Sequence, residues 1–101
     1  MKQLRIYTLK NKSAALEYFQ HYWMKHLASL PKFGIAVNDV YLGADENANK
    51  VMAIVSYPSG SDPKTLDKEY MQCTDFKNDM AGFDLSNIVN VEEIWMSERL
   101  F

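Results

Sequence analysis

Residues 50–57, KVMAIVSY, constrain this chain more than any other stretch, because a strand made from them is apolar on both faces. Successive side chains of an extended segment point to opposite sides. Val51, Ala53, Val55 and Tyr57 therefore fall on one face, and Met52, Ile54 and Ser56 on the other. Residues 87–96, NIVNVEEIWM, behave alike, with Val89, Val91 and Trp95 against Ile88, Ile94 and Met96. A sheet of such strands needs a cover on each side. Helices of the same chain can cover one face. The simplest cover for the other is a second copy packed sheet to sheet about a two-fold axis.

The remaining segments supply the helices. Residues 4–10, LRIYTLK, read as a strand rich in β-branched and aromatic residues. Leu4, Ile6 and Thr8 lie on one side of it and Arg5, Tyr7 and Leu9 on the other. Asn11 is a candidate N-cap for a helix reaching about Leu30, closed by Pro31 and Gly34. IAVNDVYLG, residues 35–43, is a second strand. After PSGSDP, Asp62 and Pro63 fit the N-cap and first helical position of another helix, with a break expected near Thr74. The order strand, helix, strand, strand, helix, strand is that of a ferredoxin-like α+β fold, a βαββαβ chain with a four-stranded antiparallel sheet. Its first and third strands are central, in keeping with the apolar third segment.

With 101 residues the chain reads as one domain, residues 1–101. A net charge of −2 and 11 scattered basic residues leave no surface that tracks a nucleic-acid backbone. No apolar run approaches the ~18–20 residues of a membrane span. One cysteine, Cys73, forms no internal disulfide and no thiolate cluster. The start MKQLRIYTLK lacks an apolar signal region. The expectation is a cytoplasmic protein with neither nucleic acid nor membrane as partner. No glycine-rich phosphate loop and no glycine-flanked serine occurs. No metal and no organic cofactor is required.

Both histidines sit in EYFQHYWMKHLASLPKFG, residues 17–34. At about 100° per residue, Leu16, Phe19, Trp23, Leu27 and Leu30 form one stripe, which predicts the core side. His21 falls opposite, in solvent. His26 lies at the stripe's edge beside Phe19 and Tyr22, half desolvated, where neighbours set its tautomer and proton affinity. It is either a boundary histidine bonded to a nearby group or a proton-transfer residue. A half-buried Arg5 needs a carboxylate, and Glu92 or Glu93 on the last strand can lie across from it. That is an ion pair or, in a functional reading, a hook for an anionic ligand.

LRIYTLKNKSAALEYFQHYWMKHLASLPKFGI resembles the opening of NIPSNAP-type domains, and YMQCTDFKNDM is similar to their acidic-aromatic segment. The resemblance implies a dimeric α+β barrel: two ferredoxin-like subunits with facing sheets and a cavity between sheet and helices in each. The superfamily includes cofactor-independent monooxygenases, polyketide cyclases and isomerases, and DVYLGAD resembles the second strand of plant-type cyclases. Those cyclases carry a histidine on the first strand and another in the second-helix segment. This chain has Arg5 and QCTDF there, so the cyclase residues do not carry over.

The expected function is that of a NIPSNAP-like homodimer binding a small, largely apolar molecule between sheet and helices. If it is a cofactor-independent enzyme of monooxygenase or isomerase type, His26 transfers the proton. Arg5, Tyr7, Tyr22, Tyr41 and Trp95 are the expected substrate-binding residues. The alternative is a non-catalytic interaction or structural module whose cavity is filled by its own side chains.

Overall fold

The computed structural model describes residues 1–100. Strand β1 (Lys2–Leu9) is central, antiparallel to β3 (Lys50–Ser56) on one side and β4 (Ile88–Met96) on the other. β2 (Ala36–Leu42) flanks β3, so the sheet order is β2-β3-β1-β4. The four-stranded antiparallel α+β sheet expected from the segment order is present, with the first and third strands inside.

Asn11 caps α1 (Lys12–Glu17), its side chain accepting from the Ala14 N–H at 2.8 Å. The helical run continues through a π-helical stretch, Tyr18–Tyr22, into α2 (Trp23–Ser29) and a final 3-10 turn, Leu30–Phe33. α3 (Pro63–Gln72) begins at Asp62, which accepts from the Lys64 N–H, with Pro63 first in the helix. The extended backbone of Cys73 (ψ 160°) separates α3 from α4 (Thr74–Asp79), the break expected near Thr74.

The helices cover the face that carries Gln3, Arg5, Tyr7 and Leu9, directly opposite Val55, Ala53 and Val51 in the register. Leu9, Ile35, Val51, Ala53 and Val55 are almost completely buried. The other face presents Leu4, Ile6, Met52, Ile54, Ile94 and Met96. Both faces of the sheet are apolar, as the strand pattern predicts.

The helical stripe needs correction. Leu16 and Leu27 are 39% and 43% exposed, and Tyr18, Tyr22 and His26 are buried in their place. More residues per turn in the π stretch hold Tyr18 and Tyr22, four apart, above one another on the face that meets the sheet. Small Ala14 and Ala15 let that face approach closely. Leu27 and Phe19 instead open over edge strand β2, beside Val37 and Val40. The hydropathy period finds the greasier stripe, whereas packing selects the one that fits.

Gly34 ends the helical run at φ 77°, and a Cβ there would stand 2.9 Å from Pro58 Cγ. Gly34→Ala should therefore lower unfolding free energy by about 1–2 kcal/mol in a urea titration. An unchanged midpoint would mean that this turn is not held as described.

Candidate functional site

A cavity of about 390 Å³ lies between β1 and β4 on the sheet side and α2, α3 and α4 on the other. Its walls are mostly apolar, from Leu30, Met71, Phe76, Met80, Ile88 and Val91. Polar groups enter from Arg5, Tyr7, Tyr18, His26, Asp67 and Tyr70. Apolar walls with a few converging polar groups are the usual form of a small-molecule site. It forms because β4 is the edge strand and is left largely exposed, while the rings of α2 and α3 hold the helices off it.

His26 is 4% exposed, more deeply placed than its position on the predicted stripe implies. Its Nδ1 lies 2.8 Å from the Tyr70 hydroxyl and 3.4 Å from Asp79 Oδ2. Ser29 Oγ lies 2.7 Å from the same Tyr70 hydroxyl and donates to Asp79 Oδ2 at 2.6 Å. Donor counting sets the direction of this chain. A carboxylate only accepts, so the single Ser29 proton goes to Asp79. Tyr70 must then donate to Ser29 and accept from His26 Nδ1–H. In the reverse arrangement, with Tyr70 donating to Nδ1, the Ser29–Tyr70 contact would hold no proton and a nitrogen lone pair would face Asp79. Nδ1 thus carries a proton, and in the neutral imidazole Nε2 is left as the ring's acceptor.

Electrostatics agree. Burial lowers the His26 pKa below its ordinary value of 6.5, against the raising effect of Asp79. Burial also pushes the Tyr70 hydroxyl well above the normal tyrosine range, so it stays protonated and can donate. Trp23 stands edge-on to His26 with ring centroids 5.3 Å apart, and Phe76 stacks nearly parallel to the imidazole at 5.9 Å. Both aromatic contacts restrict the orientation of the ring.

Arg5 does meet a carboxylate, but not the expected one. Glu93 lies opposite Arg5 in the register and instead accepts from Gln3 Nε2 at 2.9 Å. The Arg5 guanidinium pairs with Asp67 of α3 at 2.8 Å, donates to Gln3 Oε1 at 2.7 Å and reaches the Tyr57 hydroxyl. Tyr57 in turn donates to Asp67 at 2.6 Å. Burial works against the Arg5 charge, yet Tyr7, Tyr57 and Asp67 outweigh it and hold its pKa above the ordinary value. Arg5 is a compensated ion pair in the cavity wall, which suits an uncharged ligand better than an anion.

Of the six residues singled out from sequence, the structure brings Arg5, Tyr7 and His26 to one cavity. The other three stand elsewhere. Tyr22 is buried against Phe83, with ring centroids 4.8 Å apart. Tyr41 is 57% exposed on the outer face of the sheet. The register of β2 shifts between Val37 and Asp39, and that bulge turns Asp39 and Tyr41 outward and Val40 and Leu42 inward. Trp95 is on the helix-bearing side of β4 but packs on Tyr57, 48% exposed. Sequence reasoning did not single out Tyr18, Ser29, Asp67, Tyr70 or Asp79. The i, i+3 spacing of His26 and Ser29 was a usable signal, since it puts both on one helix face. Among the described residues, no three His, Cys, Asp or Glu side chains gather closely enough to hold a metal ion. No helix in the described residues is long and apolar enough to cross a membrane.

A histidine kept neutral by folding makes stability depend on pH with a definite sign. The unfolded chain takes up a proton near pH 6.5 and the folded chain only at lower pH, so acidification favours unfolding. Between pH 6.5 and 5 the wild type should lose stability by up to about 1.4 kcal/mol per pH unit more than His26→Gln in chemical denaturation. Parallel pH profiles for the two would contradict the assignment.

No protein-family model matches this chain, and no curated protein matches it. Solved structures do. The chain superposes on an uncharacterized NIPSNAP domain protein from Burkholderia xenovorans with a TM-score of 0.75 and 11% identity, over 99% of this chain and 95% of the other. It also superposes on a structural-genomics protein from Agrobacterium tumefaciens with a TM-score of 0.68 and 15% identity, over 99% and 94% of the two chains. Identity this low establishes a shared backbone architecture, and the chain has the fold seen in these two proteins.

Proposed function

We propose that this is a NIPSNAP-like protein that acts as a two-fold homodimer and binds a small, largely apolar molecule in the cavity beneath α2, α3 and α4. The observation that carries the reading is the pairing of an apolar space of about 390 Å³ with a buried His26 whose Nδ1 proton is committed to Tyr70. A neutral imidazole with a free Nε2 is a general base at neutral pH. The activity it suits is proton transfer without a cofactor, of the isomerase or monooxygenase kind, in a reducing compartment such as the cytoplasm. An interaction module with a filled interior fits less well, because the interior beside His26 is open.

The dimer reading rests on the outer face of the sheet. Leu4, Ile6, Met52 and Ile54 form an apolar centre there, rimmed by Lys2, Lys50, Asp39 and Glu92. An apolar centre with a charged rim of both signs is the usual anatomy of an interface. A two-fold axis would bring each such patch against its own copy.

Two measurements test the reading. Sedimentation equilibrium at micromolar concentration should give twice the chain mass, and a monomer would end the dimer proposal. Native mass spectrometry of the purified protein should reveal a co-purifying small molecule. His26→Ala should lower affinity for it, or its turnover, at least tenfold, while His21→Ala matches the wild type. Equal behaviour of the two variants would remove His26 from the site.

A further inference from the structure

The charges that line the cavity do not balance. Arg5 and Asp67 pair at 2.8 Å, and burial favours the neutral form of His26. Glu93 lines the same cavity and forms an ion pair with none of the described residues. Two carboxylates against one guanidinium leave a single negative charge, and it belongs to Glu93. Donor counting shows how that charge is held. Arg5 Nε–H can only donate, so the amide oxygen of Gln3 must face it, at 2.7 Å. The amide nitrogen of Gln3 then faces Glu93 and donates to Oε2 at 2.9 Å. Gln3 is fully buried, so a fixed amide steadies an otherwise flexible side chain. Glu93 Oε1 meets no donor among the described residues.

Met71, Leu85 and Val91 line the cavity yet are exposed, which marks them as its mouth. Glu93 is exposed as well and stands two residues beyond Val91 on β4, on the same face. The mouth is therefore an apolar rim with one anchored carboxylate. On the reading that the cavity binds a small, largely apolar molecule, we propose that this molecule is a hydrophobic amine whose ammonium group donates to Glu93 while its apolar skeleton enters the cavity. A carboxylate or phosphate in that place would meet Glu93 with like charge and would find Arg5 already paired with Asp67. An uncharged molecule would gain from leaving water but would lack the charge-assisted hydrogen bond. The ammonium stays at the mouth, where water still reaches it, and only hydrocarbon is buried, so little desolvation opposes binding.

Three probes of one shape separate these cases: 1-naphthylmethylamine, 1-naphthylmethanol and 1-naphthoate. Each is titrated at pH 7 while the methyl signals of Met80, Ile88 and Val91 are followed by NMR. The amine should bind about fivefold more tightly than the alcohol, the scale of a partly exposed ion pair, and the naphthoate most weakly. Added salt should shrink the preference for the amine. Glu93→Gln should make amine and alcohol equal, with the alcohol's affinity unchanged. Glu17→Gln, which removes the same charge from the exposed side of α1, should leave the preference intact. If amine and alcohol bind the unsubstituted protein alike, or the naphthoate binds best, the amine assignment is overturned while the cavity reading stands. If Glu17→Gln erases the preference as well as Glu93→Gln does, overall charge is the cause and the assignment falls. If no probe moves a cavity methyl signal, both readings fall. Should Glu93→Gln fail to fold, the ranking of the three probes on the unsubstituted protein decides alone.

Discussion

Asp79 is the acceptor on which the helical layer closes. Through Ser29, Tyr70 and His26 it fastens α4 to α2 and α3 by hydrogen bonds of 2.6 to 2.8 Å, inside a layer that is otherwise aromatic. Buried polar chains of this kind are stable only when every member is satisfied, since a single unmatched donor or acceptor costs about 1–3 kcal/mol. That requirement places a proton on His26 Nδ1, and burial, which lowers the ring's pKa, favours the neutral form. The same bonds that order the helices therefore prepare a neutral base. Stability and chemistry at this site have one cause.

A second polar cluster does the corresponding work on the sheet. Arg5, Gln3, Tyr57, Asp67 and Glu93 link β1 to β4 across the ladder and to α3 above it. The two clusters sit at different parts of one cavity wall and meet through the rings of Tyr7 and Trp23. The first cluster ties the helices to one another and the second ties α3 to the sheet, and the cavity lies between the two layers. Apolar walls fill the rest, so a guest there would gain mainly from leaving water.

Much of the fold was legible in the residues. Period-2 patterns located all four strands, and Asn11, Asp62, Pro63 and Gly34 marked helix ends by chemistry that hardly depends on the rest of the protein. The order of the segments gave the central positions of β1 and β3. Facing was harder to read. The bulge in β2 reverses the alternation that would have put Tyr41 inside, and the π stretch turns Leu16 and Leu27 away from the core. Both are shifts of about one residue, too small to show in composition. Partners were harder still. His26 and Asp79 are 53 residues apart in sequence and Arg5 and Asp67 are 62 apart, and no local rule joins them. His26 and Arg5 were visible as groups needing partners, whereas Tyr70, Asp79 and Asp67 became visible only once helices and sheet were assembled.

The central claim is that folding holds His26 as a neutral imidazole with its proton on Nδ1. Long-range 1H–15N correlation of the imidazole ring at pH 7 reports this directly, because protonated and unprotonated ring nitrogens resonate far apart. The account predicts a protonated Nδ1 and an unprotonated Nε2 for His26. A proton on Nε2 with Nδ1 bare, or a doubly protonated ring at that pH, would contradict it.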